Sequence, residues 1–423
     1  MDSPGADRLG LTVRIGIGML AGLVAGLVIN AVGIEGALGE LVVAGLFHVV
    51  GAIFLASLKL LVVPLVFVSL VCGTASLDDV SRLGRVGGKT LGLYLLTTAI
   101  ALTIAVLSAI VVRPGAGFDL TTDVSFVAKE PPTLSETLIG LFPTNPIQAM
   151  ADGNMLQIIV FSVLFGLALA LSGDPGRRVQ AFFVDLNSVI LRLVMMLMNL
   201  APYGVFCLIA RVFSEQGFDA FANLLQYFFL VLGVLFLHGL VVYPLLISVM
   251  TGLNPVRFFR NMRDPVVLAF STASSNATLP VTLENAEYSL GVDNRVASFT
   301  IPLGATINMD GTAIMQGVAT GFIAQAYGID IGATGYLMVV LTATLASIGT
   351  AGVPGVGLIM LAMVLRQVNL PVEGIGLIIG VDRLLDMART AVNVTGDATV
   401  TCIVAKSEGQ LDGEVFHADN VPK

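Results

Sequence analysis

The chain has 423 residues, of which 56% are hydrophobic and only 12% charged, and its formal net charge is −8 at pH 7. Soluble globular domains carry about 25% charged residues, so this composition excludes an ordinary soluble domain and predicts an integral membrane protein. The acidic balance, without any run of basic residues, excludes nucleic acid as a partner.

Charge-free apolar stretches predict the first membrane spans. A helix needs roughly 20 residues to cross a hydrocarbon core of about 30 Å. Because Asp2 and Asp7 precede the first stretch and no convincing cleavage site follows it, we expect that stretch to be a retained anchor. The four stretches that predict spanning helices are residues 15–34, 90–112, 153–173 and 220–256.

Three further apolar regions contain isolated charged residues. An ion at membrane depth is costly unless it faces a partner or a water-filled cavity, so such residues mark positions of interest. They are Lys59 in 41–77, Asp185 and Arg192 in 179–210, and Asp310 in 296–329.

Neither the cysteines nor the histidines predict a metal centre. The cysteines lie far apart in apolar surroundings, which fits neither a disulfide framework nor a zinc site. The histidines lack metal-ligand spacing, and we expect them on helix faces or in the tail. These residues are Cys72, Cys207, Cys402, His48, His238 and His417.

Basic residues in the loops predict the orientation of the chain. If the N-terminus is cytoplasmic, most of them fall in inside loops, as the positive-inside rule requires. We therefore expect both termini in the cytoplasm, an external loop over 114–135 and a short polar tail after Lys406. The inside residues are Arg82, Arg85, Lys89, Arg177, Arg178, Arg257, Arg260 and Arg263, and the outside ones are Arg113, Lys129 and Arg211.

Two polar, Gly-rich centres interrupt the apolar pattern in the second half of the chain, at 270–280 and 347–357. Irregular backbone at membrane depth is tolerated only inside protein or beside a cavity, so both centres predict the tips of re-entrant hairpins. Each is followed by an Asn-Gly-acid cluster, at 308–312 and 393–397. Two units of a hairpin and a broken helix predict an inverted repeat with a binding site at the membrane midplane.

Asp310 and Asp397 predict sites for a hard cation such as Na⁺. Both stand beside amides, hydroxyls and glycines in apolar segments. Carboxylates, Asn carbonyls, Thr hydroxyls and unwound backbone supply the oxygen ligands that such cations prefer. The alternative is a buried aspartate that local donors satisfy.

Residues 382–390 place two acids and two bases on one helical face. Arg389 offers a planar fork for a carboxylate, and Asp386, one turn earlier, can receive an ammonium group. Together they complement an acidic amino acid, whose α-carboxylate the hairpin tips would hold. The alternative is an ion-pair strip that neutralises itself.

These motifs resemble the glutamate and aspartate transporter family, the dicarboxylate/amino acid:cation symporters, and are similar to its prokaryotic sodium-coupled aspartate transporters. The likeness covers nearly the whole chain. Its motifs are Leu61–Leu70, Pro143–Pro146, Gly304–Ala313, the centre at 347–357 and Arg389–Asp397.

The resemblance implies an all-α integral membrane protein of the cell inner membrane. It would be a homotrimer with eight spanning helices, two re-entrant hairpins and inverted repeats, and each protomer would carry its solute by an elevator movement. The implied parts are a scaffold at 10–86 and 130–215, a transport part at 87–129 and 216–406, and a cytoplasmic tail at 407–423.

The resemblance also implies the ligands: an acidic amino acid and several sodium ions per substrate. Retention of Asp397 favours sodium over protons. The implied substrate residues are Ser275, Thr312, Val353, Gly357, Asp386, Arg389, Thr390 and Asn393. The implied sodium sites are Gly304, Asn308, Asn393 and Asp397; Thr306 with the backbone carbonyls of Ser347, Ile348 and Thr350; and Tyr94, Thr97, Thr98, Asn308 and Asp310.

One departure from the family pattern concerns an additional arginine. Family members place it in the first tip or after the substrate-binding aspartate, where this chain has Ala273 and Met387. Arg383, one turn before Met387, is the candidate replacement and a ninth substrate residue. Its alternatives are pairing with neighbouring aspartates only, or snorkelling toward the cytoplasm.

Other functions stay open at this point. An anion channel is one, and a membrane-embedded enzyme with two aspartates as its acid and base is another, although the sequence offers no nucleophile or metal constellation for it. We therefore expect a transporter and no enzyme. Within transport, the alternatives are a proton-coupled, a neutral amino acid or a C4-dicarboxylate symporter.

Overall fold

A computed structural model describes residues 11–33, 39–75, 80–117, 142–216, 219–347, 350 and 352–418. Within these residues every regular secondary-structure element is a helix. One isolated β-bridge joins Val292 to Leu411. The all-α prediction is confirmed for this part of the chain.

Long helices dominate the first half of the chain. Apolar side chains without charges favour this, because in lipid only a helix satisfies every backbone group within its own segment. The helices are α1 (Leu11–Val32), α2 (His48–Ala75, after a π-helical turn at Glu40–Phe47), α3 (Val80–Val112), α4 (Pro146–Asp152), α5 (Met155–Leu171), α6 (Gly173–Met198), α7 (Ala201–Gln216), α8 (Asp219–Leu237), and α9 (Tyr243–Thr251, after a π-helical turn at His238–Val242).

Shorter helices alternate with turns in the second half until the last long helix. They are α10 (Pro255–Asn261), α11 (Arg263–Thr272), α12 (Ser275–Tyr288), α13 (Asn294–Ile307), α14 (Asp310–Ala326), α15 (Gly332–Ser347), α16 (Val356–Gln367), a 3₁₀ turn (Val372–Gly374), α17 (Ile375–Ser407) and α18 (Gly413–His417).

Four segments of the described chain are long and apolar enough to cross a membrane: Val13–Val32, Glu40–Cys72, Arg85–Val112 and Asn223–Thr251. Three of them overlap the predicted spans 15–34, 90–112 and 220–256. The predicted span 153–173 instead forms the 17-residue helix α5, because Ser172 and the left-handed Gly173 turn the chain there. The total of eight spans stays a prediction.

Three glycines let α1 and α7 pack with their backbones almost in contact. A Cβ on Gly22 would lie 2.6 Å from the carbonyl oxygen of Phe206, and one on Gly26 would lie 2.6 Å from that of Ala210. A Cβ on Gly18 would lie 2.4 Å from the carbonyl oxygen of Pro202. Small residues four apart are the usual means of close helix association in lipid, where dispersion replaces the hydrophobic effect.

A second packed group forms around α14, which is buried along nearly its whole length. Gly317 and Gly321 face Ala105 and Ala109 of α3, with glycine Cβ positions 3.0 and 2.7 Å from the alanine Cβ atoms. The long helix α17 packs against the same group and against α9, α11 and α13.

Both polar centres form the turns of helical hairpins, as predicted. In the first, Ala273 (φ 51°) ends α11 and Ser274 caps α12. The second joins α15 to α16 and ends at Gly355 (φ 85°). The two turns are in contact. The Ser274 hydroxyl donates to the carbonyl of Gly352 at 2.7 Å, and the backbone amide of Asn276 donates to the same carbonyl at 3.2 Å.

The prediction of two broken helices is right for the first hairpin unit and wrong for the second. The helix after the first hairpin is interrupted at Asn308 and Met309, between α13 and α14. The second cluster lies inside α17, which is continuous from Ile375 to Ser407. Gly396 in this cluster lets the Asn308 side chain approach α17, because a Cβ at residue 396 would lie 2.6 Å from Asn308 Nδ2.

Residues 408–418 of the predicted tail fold back onto the protein, and the cytoplasmic location of the tail stays a prediction. Asp412 donates its backbone amide to the carbonyl of Gly291 at 2.7 Å, and Phe416 is fully buried. Glu408 accepts from Lys89 Nζ at 2.6 Å and from Arg85 at 2.5 Å. The segment therefore ties the start of α3 to the end of α17.

We expect the contact of Glu408 with Lys89 and Arg85 to lose its stabilising effect in acid. Hydrogen bonds from Lys89 and then Arg85 lower the pKa of Glu408 below its usual 4.5. A lowered folded-state pKa stabilises the protein above the unfolded pKa, and that stability is lost as pH falls below about 4.5 through the folded value. Glu408→Gln should show a smaller drop in melting temperature over this range than the wild type.

The matched control is Glu414→Gln, which removes an exposed carboxylate from the same segment. It should retain the wild-type acid dependence. An identical dependence of melting temperature on pH for Glu408→Gln and the wild type would contradict a stabilising role of the Glu408 contact.

Candidate functional site

The two hairpin turns, the interruption at Asn308 and Met309, and the middle of α17 enclose a small cavity of about 10 Å³. A space of this size holds about one water molecule. Seven predicted substrate residues line it: Ser275, Thr312, Val353, Gly357, Asp386, Thr390 and Asn393. The others on its wall are Ala273, Met309, Thr350 and Gly352.

Arg389 lies behind this wall and is fully buried. Its Nη1 lies 2.8 Å from Asp382 Oδ1, and its Nη2 lies 2.8 Å from Asp386 Oδ1. Its Nε is buried and makes no hydrogen bond to any residue that the structure describes. The guanidinium thus makes ion pairs within α17, which is the arrangement described by the alternative for residues 382–390.

Asp386 joins α17 to the second hairpin. Its Oδ2 accepts from the backbone amide of Gly355 at 3.2 Å, while its Oδ1 faces Arg389. Thr390 donates to the Asp386 carbonyl one turn earlier, at 2.8 Å. A change of partner at Asp386 Oδ2 would therefore break a hydrogen bond to the second turn.

Arg383 lies beside the same carboxylate, with Nη1 at 3.7 Å from Asp386 Oδ2. This contact fits both the proposed replacement role of Arg383 and the alternative in which it pairs with neighbouring aspartates only. Its side chain borders a separate cavity of about 30 Å³, whose other wall includes Phe54 and Val205 of α2 and α7.

A second polar layer lies one turn further along α17. Asn308 Nδ2 donates to Asp397 Oδ1 at 2.9 Å and lies 3.4 Å from the Asn393 carbonyl. Asn393 Oδ1 accepts from the Gly311 amide at 2.7 Å. Gly304 allows this approach, because a Cβ there would lie 2.5 Å from Asp397 Oδ1. The four residues of the first implied sodium site are thus neighbours.

Asp310 is the centre of a third polar group. Thr98 donates to its Oδ1 at 2.5 Å, and Thr97 lies 3.4 Å from Asn308 Oδ1. Tyr94 is buried beside them and donates to the carbonyl of Thr300 at 2.9 Å. The structure therefore brings together the residues of the third implied site.

Two further residues of this group were not predicted. Tyr243 donates to Asp310 Oδ2 at 2.7 Å, and His238 Nε2 lies 3.2 Å from the same oxygen. Sequence reasoning placed His238 on an ordinary helix face. A signal was present, because a histidine inside a charge-free apolar stretch must find a buried partner.

The second implied sodium site stays a prediction. The Thr306 hydroxyl donates to the Leu303 carbonyl at 3.0 Å, within its own helix. Ile348 lies outside the described residues.

The charge balance of the site favours cation binding. Asp310, Asp382, Asp386 and Asp397 are buried, and of these Asp382 and Asp386 pair with the guanidinium groups of Arg383 and Arg389. Excess carboxylates at membrane depth need a cation or a proton. Among the described residues no three His, Cys, Asp or Glu side chains form a metal cluster. Carboxylate, amide and backbone oxygens are the ligands that hard cations prefer.

Comparison with known proteins adds independent findings. The family model described as "Sodium:dicarboxylate symporter family" matches residues 11–407. A proton/sodium-glutamate symport protein of Bacillus caldotenax is 35% identical, over 96% of both chains. A proton/glutamate-aspartate symporter of Escherichia coli K12 is 38% identical over 88% of this chain and 87% of its own length. A C4-dicarboxylate transport protein of Rhodospirillum rubrum is 36% identical, over 86% and 82%.

These relatives are named as transport proteins, so the prediction of a transporter rather than an enzyme is confirmed. Their names differ in the coupling ion and in the solute.

We expect Gly304→Ala to lower the melting temperature of the purified protein. Its new Cβ would lie 2.5 Å from Asp397 Oδ1 and 2.6 Å from the Tyr94 hydroxyl, and overpacking of a buried site costs about 1–3 kcal/mol. Gly92→Ala on α3 is the matched control, since no heavy atom lies within 4 Å of its Cβ position. Equal melting temperatures for the two variants would contradict the close approach.

Proposed function

The chain belongs to the sodium:dicarboxylate symporter family, and on that premise we propose that it takes up acidic amino acids together with sodium ions as a secondary active symporter. One observation carries the proposal. Asp386, Arg389, Asn393 and Asp397 are spaced three or four residues apart and share one buried face of α17. A carboxylate that can accept from an ammonium group, a guanidinium that can donate to a carboxylate, and cation ligands thus form one continuous strip.

The proposed solute is aspartate or glutamate. Arg389 would bind the side-chain carboxylate in two places, Asp386 would bind the ammonium group, and Ser275 with the backbone of the hairpin turns would bind the α-carboxylate. Thr312, Val353, Gly357, Thr390 and Asn393 would complete the wall of the site. A C4-dicarboxylate lacks the ammonium group and would be repelled by Asp386.

Sodium is the proposed coupling ion at the three implied sites. Asp397 and Asp310 would be anionic ligands of two different ions, and Asn308 lies between them, with its Nδ2 2.9 Å from Asp397 and its Oδ1 3.4 Å from Thr97. Ions and solute that stabilise the same closed arrangement of hairpins must raise each other's affinity by equal factors. Such linkage would couple uptake to the sodium gradient.

We further propose an elevator movement in a homotrimer of the inner membrane, with both termini in the cytoplasm. Residues 87–129 and 216–406 would move against a scaffold of 10–86 and 130–215. The packing supports this division. The glycine contacts of α1 with α7 hold one group together, and those of α14 with α3 hold the other.

The decisive test is uptake of radiolabelled L-aspartate into proteoliposomes. We expect accumulation above equilibrium with an inward sodium gradient, and none when potassium replaces sodium or when only a pH gradient is applied. Unlabelled glutamate should compete, while malate and alanine should compete weakly. Uptake driven by pH alone would favour the proton-coupled alternative, and strong competition by malate would favour a C4-dicarboxylate carrier.

Arg389→Cys in the same vesicles serves as the control for solute identity. It removes the partner proposed for the side-chain carboxylate, so aspartate uptake should be lost while small neutral amino acids are spared or gain affinity. Because it also leaves Asp382 and Asp386 without their shared guanidinium, the melting temperature of the variant is measured beside its uptake. Unchanged aspartate affinity would contradict the assigned role of Arg389.

We expect Arg383→Ala to tighten aspartate binding by roughly two- to fivefold, because it removes a cation that competes with the solute's ammonium for Asp386. Its melting temperature should barely change, since Asp386 keeps Arg389 and Gly355 as partners. Met387→Arg, added one turn later, should restore the original affinity. A lowered melting temperature with unchanged affinity would indicate a structural arginine.

A further inference from the structure

A second cavity, of about 180 Å³, lies at the base of the first hairpin, between α10, the ends of α11 and α12, and Ala418. It comes directly after the candidate span Asn223–Thr251. A spanning helix ends near the boundary between hydrocarbon and water, which would place the cavity near lipid headgroups. We propose that it binds the phosphate group of an anionic membrane phospholipid.

The charge of the cavity fits this ligand. Arg257, Arg260 and Arg263 line it, and Asp264 is the opposing carboxylate on its wall. Arginine's planar fork matches phosphate oxygens, and guanidinium groups are common ligands of phosphate. Arg260 and Arg263 are exposed and so are accessible to a headgroup from the membrane side.

The wall of the cavity is held in place by hydrogen bonds to backbone. Arg257 donates through Nε to the Phe416 carbonyl at 2.9 Å and through Nη2 to that of His417 at 2.5 Å. Asn261 donates to the Ser289 carbonyl at 2.7 Å, and Asn285 donates to the Asn261 carbonyl at 2.7 Å. The arginines are therefore arranged around a fixed polar pocket.

Neighbouring apolar side chains favour a lipid as the source of the phosphate. Val256 and Val267 on the same two helices are 79% and 57% exposed, and Phe270 is also exposed. Such residues beside basic headgroup contacts give acyl chains a surface to lie against. A bound lipid would join the base of the first hairpin to the C-terminal segment.

The test compares lipid binding by the full-length protein with that of Arg260→Gln/Arg263→Gln. Native mass spectrometry and thermal shift in detergent would measure binding of short-chain phosphatidylglycerol, with phosphatidylcholine and inorganic phosphate as separate arms. We expect phosphatidylglycerol to bind and stabilise the wild type. The double variant should bind it roughly 30-fold more weakly, because two arginines near the headgroup are lost.

Arg177→Gln/Arg178→Gln is the matched control, since it removes two exposed arginines from α6. It should retain the wild-type affinity for phosphatidylglycerol. Equal affinity of the wild type and both double variants for phosphatidylglycerol would overturn the proposal that this cavity binds the lipid. Full stabilisation by inorganic phosphate, or by phosphatidylcholine to the same degree, would overturn the assignment to an anionic lipid.

Discussion

The architecture depends on the need to pair one buried guanidinium. Arg389 has no exposed surface and sits between Asp382 and Asp386. An unpaired charge at this depth would cost several kcal/mol, so α17 must keep its two acids on the same face as the arginine. Asp386 then also binds the Gly355 amide, which ties the second hairpin to α17. Any event that changes the partners of Arg389 is therefore communicated to a hairpin.

Interrupted backbone creates the rest of the site. Between α13 and α14 the chain leaves the helix at Asn308 and Met309, and at the hairpin turns it leaves the helix again. Freed amides inside protein need polar partners, and Asn393 of α17 accepts from the backbone amide of Gly311. Asp397 of α17 accepts from the side-chain amide of Asn308 at the same interruption. Glycines at 304 and 396 make this possible, because a Cβ at either position would collide with the partner groups.

Much of the fold follows from one-dimensional patterns. Apolar length predicted most of the long helices, since lipid requires backbone groups to be satisfied within a helix. Polar, Gly-rich interruptions predicted the hairpin turns for the same reason. The pattern could not show that α17 stays continuous through Asn393–Asp397 while the corresponding cluster at Asn308 does not. Both clusters contain the same residue types, and in both the glycine lies closely against a neighbouring element.

The sequence by itself determined a helical membrane protein, its paired polar interruptions and the residue types that suit an acidic amino acid and cations, because these depend on local composition and helical spacing. Only the tertiary structure decided which groups meet. His238 and Tyr243 contact Asp310 from a distant helix, and Glu408 brings the C-terminal segment onto α3. Such contacts join residues far apart in the chain, and their partners are chosen by the burial of unpaired polar groups rather than by any local pattern.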